Sequence, residues 1–227
     1  MRWMLTLVMI SLPALASAQE APALKTEKDM LSYAMWMDLG NQLKRQSVEI
    51  DPAVFDRGLK DALSGGKTLL TEEEAKVALG ELRKAITTRQ AEAAKVAGEK
   101  NKAEGEAFLA ANKAKEGVVT LPSGLQYKVL TTGTGTKPTL NDTVVCQYRG
   151  TLVNGKEFDS SYKRKEPATF PVKSVIKGWT EVLQLMPVGS KWQVFIPSAL
   201  AYGERGAGAD IGPNATLIFE IELVAIK

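Results

Sequence analysis

From about residue 25 to 116 apolar positions recur every three or four residues, the repeat of an amphipathic helix; from Val118 onward the repeat falls to two, the mark of a half-buried strand. In the first region Met30, Ala34 and Met37, with Leu31, Met35 and Leu39, place a methionine-rich face on one helix. Asp51-Pro52 opens a second, because the aspartate caps free amides and the proline fits the first turn. Val54, Phe55, Leu59, Ala62 and Leu63 are its expected buried side, and Gly65-Gly66 stops it. Thr71 with Glu74 is a capping-box signature that starts a third helix near Glu72. No breaker follows until Lys115–Gly117, so this helix spans about 43 residues, or about 65 Å. Its first half carries a stripe at Ala75, Leu79, Leu82 and Ile86. Beyond Arg89 it is mostly Ala, Glu and Lys, weakened at Gly98 and Gly105, and reads as a solvated strut.

In the second region Gly124–Leu130, Thr143–Leu152, Lys156–Phe158, Ala168–Val172, Ser190–Pro197 and Thr216–Ile226 read as strands. Asn154-Gly155 is a hairpin signal, and Gly178–Leu185 fits one short helix with Trp179, Val182, Leu183 and Leu185 as apolar positions. The expected fold class is α+β: a C-terminal antiparallel sheet wrapped on a short helix, preceded by an all-α N-terminal module and a long connecting helix.

Residues 1–18 join a basic start at Arg2 to an apolar run from Trp3 to Leu15 and the small residues Ala16-Ser17-Ala18. This is the pattern of a cleaved export signal. The run falls short of the roughly 20 residues a spanning helix needs. The expected organisation is therefore a signal peptide over 1–18, a short-helix module over 19–71, a connecting helix over 72–116 and a sheet domain over 118–227. The expected location is periplasmic or secreted, with outer-membrane association left open. The short helices are too thin to hold a full core, and the Met- and Trp-bearing face from Met30 to Met37 is a plausible homodimer surface, the alternative being packing on the neighbouring helices.

The chain contains no histidine and a single cysteine. That excludes histidine-based triads, histidine metal sites and multi-cysteine zinc sites, and no cofactor is expected. Cys146, inside a strand with no base beside it, reads as a buried inert thiol. A net charge of +3 argues for neither nucleic acid nor an anionic membrane. What remains is a cluster of aromatic residues between Tyr148 and Phe219, with Asp159 the acid directly beside one of them. Such a cluster is suited to holding an apolar substrate and changing its shape or solvation, and ill suited to cutting a bond.

The segments Tyr148-Arg149-Gly150, Gly155-Lys156-Glu157-Phe158-Asp159-Ser160-Ser161 and Val175-Ile176-Lys177-Gly178-Trp179 are followed by Met186-Pro187-Val188-Gly189, Ala201-Tyr202-Gly203 and Pro213–Phe219. In that order and spacing the chain over 118–227 closely resembles the FKBP-type peptidyl-prolyl cis-trans isomerases. The helical half resembles the dimerising module of the exported macrophage infectivity potentiator subgroup. The resemblance implies Trp179 as pocket floor, with Tyr148, Phe158, Val175, Ile176 and Phe219 as walls. It adds Tyr202, whose hydroxyl would join the Ile176 amide in binding substrate carbonyls, and a polar rim pair, Asp159 and Arg164. Phe170 and Ile211, with Arg164, would contact substrate. Ala168 stands where the family often has an aromatic wall residue and Ala207 where it often has a flap histidine, both away from the pocket centre. The implied activity is rotation of X–Pro bonds in unfolded or nascent exported polypeptides, with macrolide inhibitors as possible ligands. A second reading is a dimeric holdase chaperone for envelope proteins, with isomerisation secondary.

Overall fold

The computed structural model describes residues 24–227, and the export signal expected over residues 1–18 lies outside them. The chain divides into two compact units, one ending at Ala75 and one running from Lys76 to Lys227.

In the first unit, α1 (Glu27–Arg45) starts at a reciprocal cap. The Thr26 hydroxyl accepts from the Asp29 amide at 3.1 Å, and the Asp29 carboxylate accepts from the Thr26 amide at 3.0 Å. α2 (Pro52–Ser64) is capped by Asp51, which accepts from the Ala53 and Val54 amides at 2.8 and 3.2 Å, and Gly65 ends it in the left-handed conformation. Trp36 meets Phe55 edge-on, ring centroids 5.1 Å apart. The side of α2 expected to be buried is covered only in part: Phe55 and Leu59 are half-buried, Val54 is 63% and Leu63 78% exposed, and neither helix has a fully buried residue. Each helix offers the other one narrow seam, and their apolar faces are wider than that seam.

α3 (Glu72–Asn112) begins at the expected capping box, where the Thr71 amide donates to Glu74 at 2.8 Å. Its latter half is no solvated strut. Gly98, Gly105 and Asn112 are buried, and Phe108 lies 5.8 Å from the Phe195 ring. The Asn112 side chain donates to the Gln126 side-chain oxygen at 2.9 Å, and Gln126 donates to the Leu109 carbonyl at 2.9 Å. Apart from Phe108, glycine and asparagine make this contact, so an apolar period could not announce it.

The second unit is built on a seven-stranded antiparallel sheet: β1 (Val118–Thr120), β2 (Gln126–Thr131), β3 (Thr143–Leu152), β4 (Glu157–Ser160), β5 (Ala168–Pro171), β6 (Lys191–Ile196) and β7 (Leu217–Ile226). The order is β1-β2-β6-β7-β3-β4, with β5 beside β3. The alternation from Gly124 becomes strand only at Gln126, because the Gly124 amide first closes a turn on the Leu121 carbonyl at 2.9 Å. The sheet's core face reads directly from period two: Val144, Cys146 and Tyr148 on β3, and Leu217, Phe219, Ile221 and Leu223 on β7. Fully burying a side chain of this size stabilises the fold by about 1.5–3 kcal/mol. Cys146 is wholly enclosed, and burial pushes its thiol pKa up to about 12.

The core face is covered by α5 (Lys177–Leu183), which buries Gly178, Trp179, Val182 and Leu183. At Gly178 a Cβ would come within 2.5 Å of an Ile196 methyl, so only glycine lets the helix settle this low. A single-turn helix, α4 (Ser161–Arg164), and three 3-10 turns were not foreseen, being too short for a helical repeat to recur.

Candidate functional site

A cleft of about 690 Å³ opens where β3, β4 and β5 face α5 and the loop that precedes β7. Ten of the eleven expected site residues line it, and the eleventh, Arg164, reaches it through hydrogen bonds. Trp179, only 4% exposed, lies at the bottom. Its ring stands nearly perpendicular to those of Tyr148, Phe170 and Phe219, at centroid distances of 5.3, 5.6 and 5.3 Å. Phe158 in turn meets Phe219 edge-on at 5.5 Å. Such edge-to-face pairs fix one another's orientation, so the lining is rigid as well as apolar. The Trp179 indole N–H is buried without a partner among the described residues.

Room for these rings comes from Gly150, which pairs with Phe219 on β7 and Asp159 on β4. A Cβ there would lie 2.6 Å from Phe158 and 2.8 Å from Phe219. Val175 and Ile176 enter the cleft from the stretch between a 3-10 turn and α5. The Ile176 carbonyl accepts from the Thr180 amide at 3.0 Å, whereas its own amide has no partner among the described residues. Tyr202, 41% exposed, likewise presents an uncommitted hydroxyl.

The rim carries a closed polar triangle. The Tyr148 hydroxyl donates to Asp159 at 2.5 Å, while Arg164 donates to Asp159 at 2.6 Å and to the Tyr148 hydroxyl at 2.7 Å. The triangle is set by α4, which Ser161 ties to β3 by accepting from the Tyr148 amide at 2.8 Å. Partial burial pushes the Asp159 carboxyl up, but the hydrogen bonds from Tyr148 and Arg164, the Arg164 charge and the Ser160 amide outweigh it, leaving the group below the usual carboxylate range. Burial, and then the hydrogen bond to Asp159, hold the Tyr148 phenol above its ordinary value. The hydrogen bonds to Asp159 and Tyr148 move Arg164 further up, so it stays charged.

Ser174, Gly208, Ala209 and Asp210 also line the cleft and were not foreseen. Asp210 pairs with Lys156 at 2.8 Å, linking the loop to the β3–β4 hairpin, yet an aspartate among glycines and alanines reads only as a turn former. Ala207, expected away from the centre, lines the cleft and closes its loop: its amide donates to the Ile211 carbonyl at 2.8 Å and its carbonyl accepts from the Ile211 amide at 3.1 Å. Ala168 pairs with Cys146 on β3 and packs against the core instead.

The arrangement offers an apolar floor, stiff walls, two unengaged donors and a rim that keeps its charge state. Such an arrangement can hold an apolar ring on its floor while hydrogen bonds steady the chain that carries it. Residues 134–224 match the family model of the FKBP-type peptidyl-prolyl cis-trans isomerases, and residues 28–129 that of the domain amino-terminal to them. The chain belongs to the FKBP-type peptidyl-prolyl cis-trans isomerases and is an enzyme of that activity.

Within the family it is similar to the outer membrane protein MIP of Legionella longbeachae, 50% identical over 211 residues that cover 93% of this chain and 91% of that one. It is also similar to the peptidyl-prolyl cis-trans isomerase Mip of Coxiella burnetii, 47% identical over 211 residues, or 93% of this chain and 92% of that one. Among solved structures it is similar to FkpA from Escherichia coli, with a TM-score of 0.68 at 35% identity over 90% of this chain and 99% of that one. Among the described residues no helix is long and apolar enough to cross a membrane.

Proposed function

We propose that the chain speeds X–Pro rotation in exported polypeptides by seating the prolyl ring on Trp179 in this cleft, without acid, base, metal or covalent intermediate. The barrier to twisting a peptide bond is about 18–20 kcal/mol, and each tenfold acceleration requires lowering it by about 1.4 kcal/mol. Water stabilises the planar, more polar amide by solvating its carbonyl. A dry aromatic hollow withdraws that solvation and favours the twisted state. The Ile176 amide and Tyr202 hydroxyl hold carbonyls of the flanking chain, converting a loose encounter into an oriented one. The observation that carries this reading is the mutually perpendicular packing of Tyr148, Phe170 and Phe219 on Trp179. The cleft's volume also falls within the range of small-molecule sites, which supports binding of a macrolide inhibitor.

The test is Phe158→Ala in the full chain, because Phe158 is a half-buried wall packed on the edge of the sheet's core and not one of its fully buried members. The variant should melt close to the parent and isomerise a prolyl tetrapeptide at least tenfold more slowly. An unaltered rate with intact folding would refute the cleft as the site.

Export is supported by the leader-like residues 1–18 and by the similarity to a protein named for the outer membrane. Homodimerisation through the N-terminal helices is supported by the first unit's exposed apolar residues, among them Met30, Leu31, Met35 and Met37, each more than half exposed. The mass of the mature protein in solution tests both. The same surface favours a second role as a holdase. If that role exists, Phe158→Ala suppresses client aggregation as well as the parent does; equal loss of both activities would leave isomerisation alone.

A further inference from the structure

The loop between Gly203 and Thr216 supplies one wall of the cleft, and its far side is fastened to α3. Gly98, Asn101, Gly105 and Phe108 follow one another by three or four residues and so share one face of that helix. The Asn101 side chain donates to the Pro213 carbonyl at 2.8 Å, and the Asn214 side chain donates to the Gly98 carbonyl at 3.4 Å. Asn214 holds a left-handed conformation at φ 55°, and its amide donates to the Gly203 carbonyl at 2.8 Å, closing the base of the loop. Gly105 lies flat against Thr216: a Cβ there would come within 2.3 Å of the Thr216 hydroxyl oxygen and 3.1 Å of its Cβ. From this base the chain turns through the Ala207–Ile211 bridge into the cleft.

We propose that the latter half of α3 sets the position of the cleft's loop wall, with Asn101 and Gly105 as positioning residues for prolyl isomerisation. They touch no substrate. They act through Pro213 and Thr216 on the segment that carries Tyr202, Ala207 and Ile211. The isomerase unit consequently begins within α3, well before Val118, and an alanine-, glutamate- and lysine-rich helix contributes to catalysis by shape. The proposal rests on the cleft being the site of rotation.

A neutral hydrogen bond is worth a few-fold to about tenfold in an equilibrium. In the full chain, Asn101→Ala should therefore raise hydrogen exchange at the Ala207 and Ile211 amides about three- to tenfold, leaving the β3 and β7 amides as protected as before. It should lower kcat/KM on a prolyl tetrapeptide by a similar factor with little change in melting temperature. Gly105→Ala should do the same by pushing on Thr216, and adding Thr216→Ala, which removes the crowded hydroxyl, should restore most of the rate. A general loss of stability would not be rescued in that way.

Unchanged loop exchange in Asn101→Ala overturns the proposal, as does failure of Thr216→Ala to rescue a folded Gly105→Ala. Faster loop exchange with an unchanged rate overturns it too. In that case Phe158→Ala decides whether the cleft assignment falls with it or stands without the helix.

Discussion

Gly150→Ala tests whether the positions of the cleft's rings, and not only their presence, set the rate. The new methyl would stand 2.6 and 2.7 Å from two Phe158 ring carbons and 2.8 Å from a Phe219 carbon. Carbon atoms pack at about 3.5–4.0 Å, so the rings must together yield about 1 Å. Phe219 is buried and edge-packed on Trp179, whereas Phe158 is only half-buried, so Phe158 gives way. Overpacking of this kind costs about 1–3 kcal/mol, and in a chain of this length each kcal/mol lowers the melting temperature by about 2–4 °C. The fold survives that, but a 1 Å misplacement of positioning groups can cost about a hundredfold in rate. The expected outcome is a melting temperature lower by about 3–10 °C and a kcat/KM on a prolyl tetrapeptide reduced at least tenfold at a temperature where the variant is folded. A reduction smaller than twofold, with the expected loss of stability present, would refute the claim that ring geometry governs turnover.

The pH profile follows from the rim triangle. The Asp159 pKa is lowered by folding, so its contribution is complete above the ordinary carboxylate value of about 3.9 and is lost as pH falls through the lowered one. The Tyr148 pKa is raised, so its contribution is complete below about 10 and is lost only as pH climbs through the raised value. Neither partner changes charge in between, and the chain has no histidine, so kcat/KM should be flat from about pH 5 to 9; a break near neutrality in a stopped-flow pH series would contradict this. Trp179→Phe should lower kcat/KM because the floor recedes. It should leave calorimetric stability nearly unchanged, because removing an unpartnered buried donor relieves about 1–3 kcal/mol, offsetting the cavity left by the smaller ring. A steep fall in melting temperature would show that the indole N–H is satisfied after all.

The parts of this protein visible in its sequence are those where one residue reports on itself. β3 and β7 alternate because each buries one face, and the caps at Asp51 and Thr71 follow from donors that each helix start leaves open. The cleft's aromatic residues were found through the order and spacing of several short motifs, since any one of them alone reads as core. The hidden parts depend on partners far along the chain. The docked face of α3 combines Phe108 with Gly98, Asn101, Gly105 and Asn112, four residues that carry no apolar signal, and its partners lie up to 116 residues away. Asp210 lines the cleft and pairs with Lys156, 54 residues earlier, a partner no local pattern could name. The opposite failure occurs on α2, where Val54 and Leu63 have the right period for burial but stay exposed among the described residues.

The enclosure of Cys146 between Ala168 on β5 and Leu223 on β7 turns the chain's lone thiol into an internal clock. An alkylating dye reaches it only when β3 parts from its neighbours, so the labelling rate counts global openings and ignores movements of the loop or the short helices. Ageing samples should stay free of sulfur-linked pairs for the same reason, and any that form would date from molecules that had come apart.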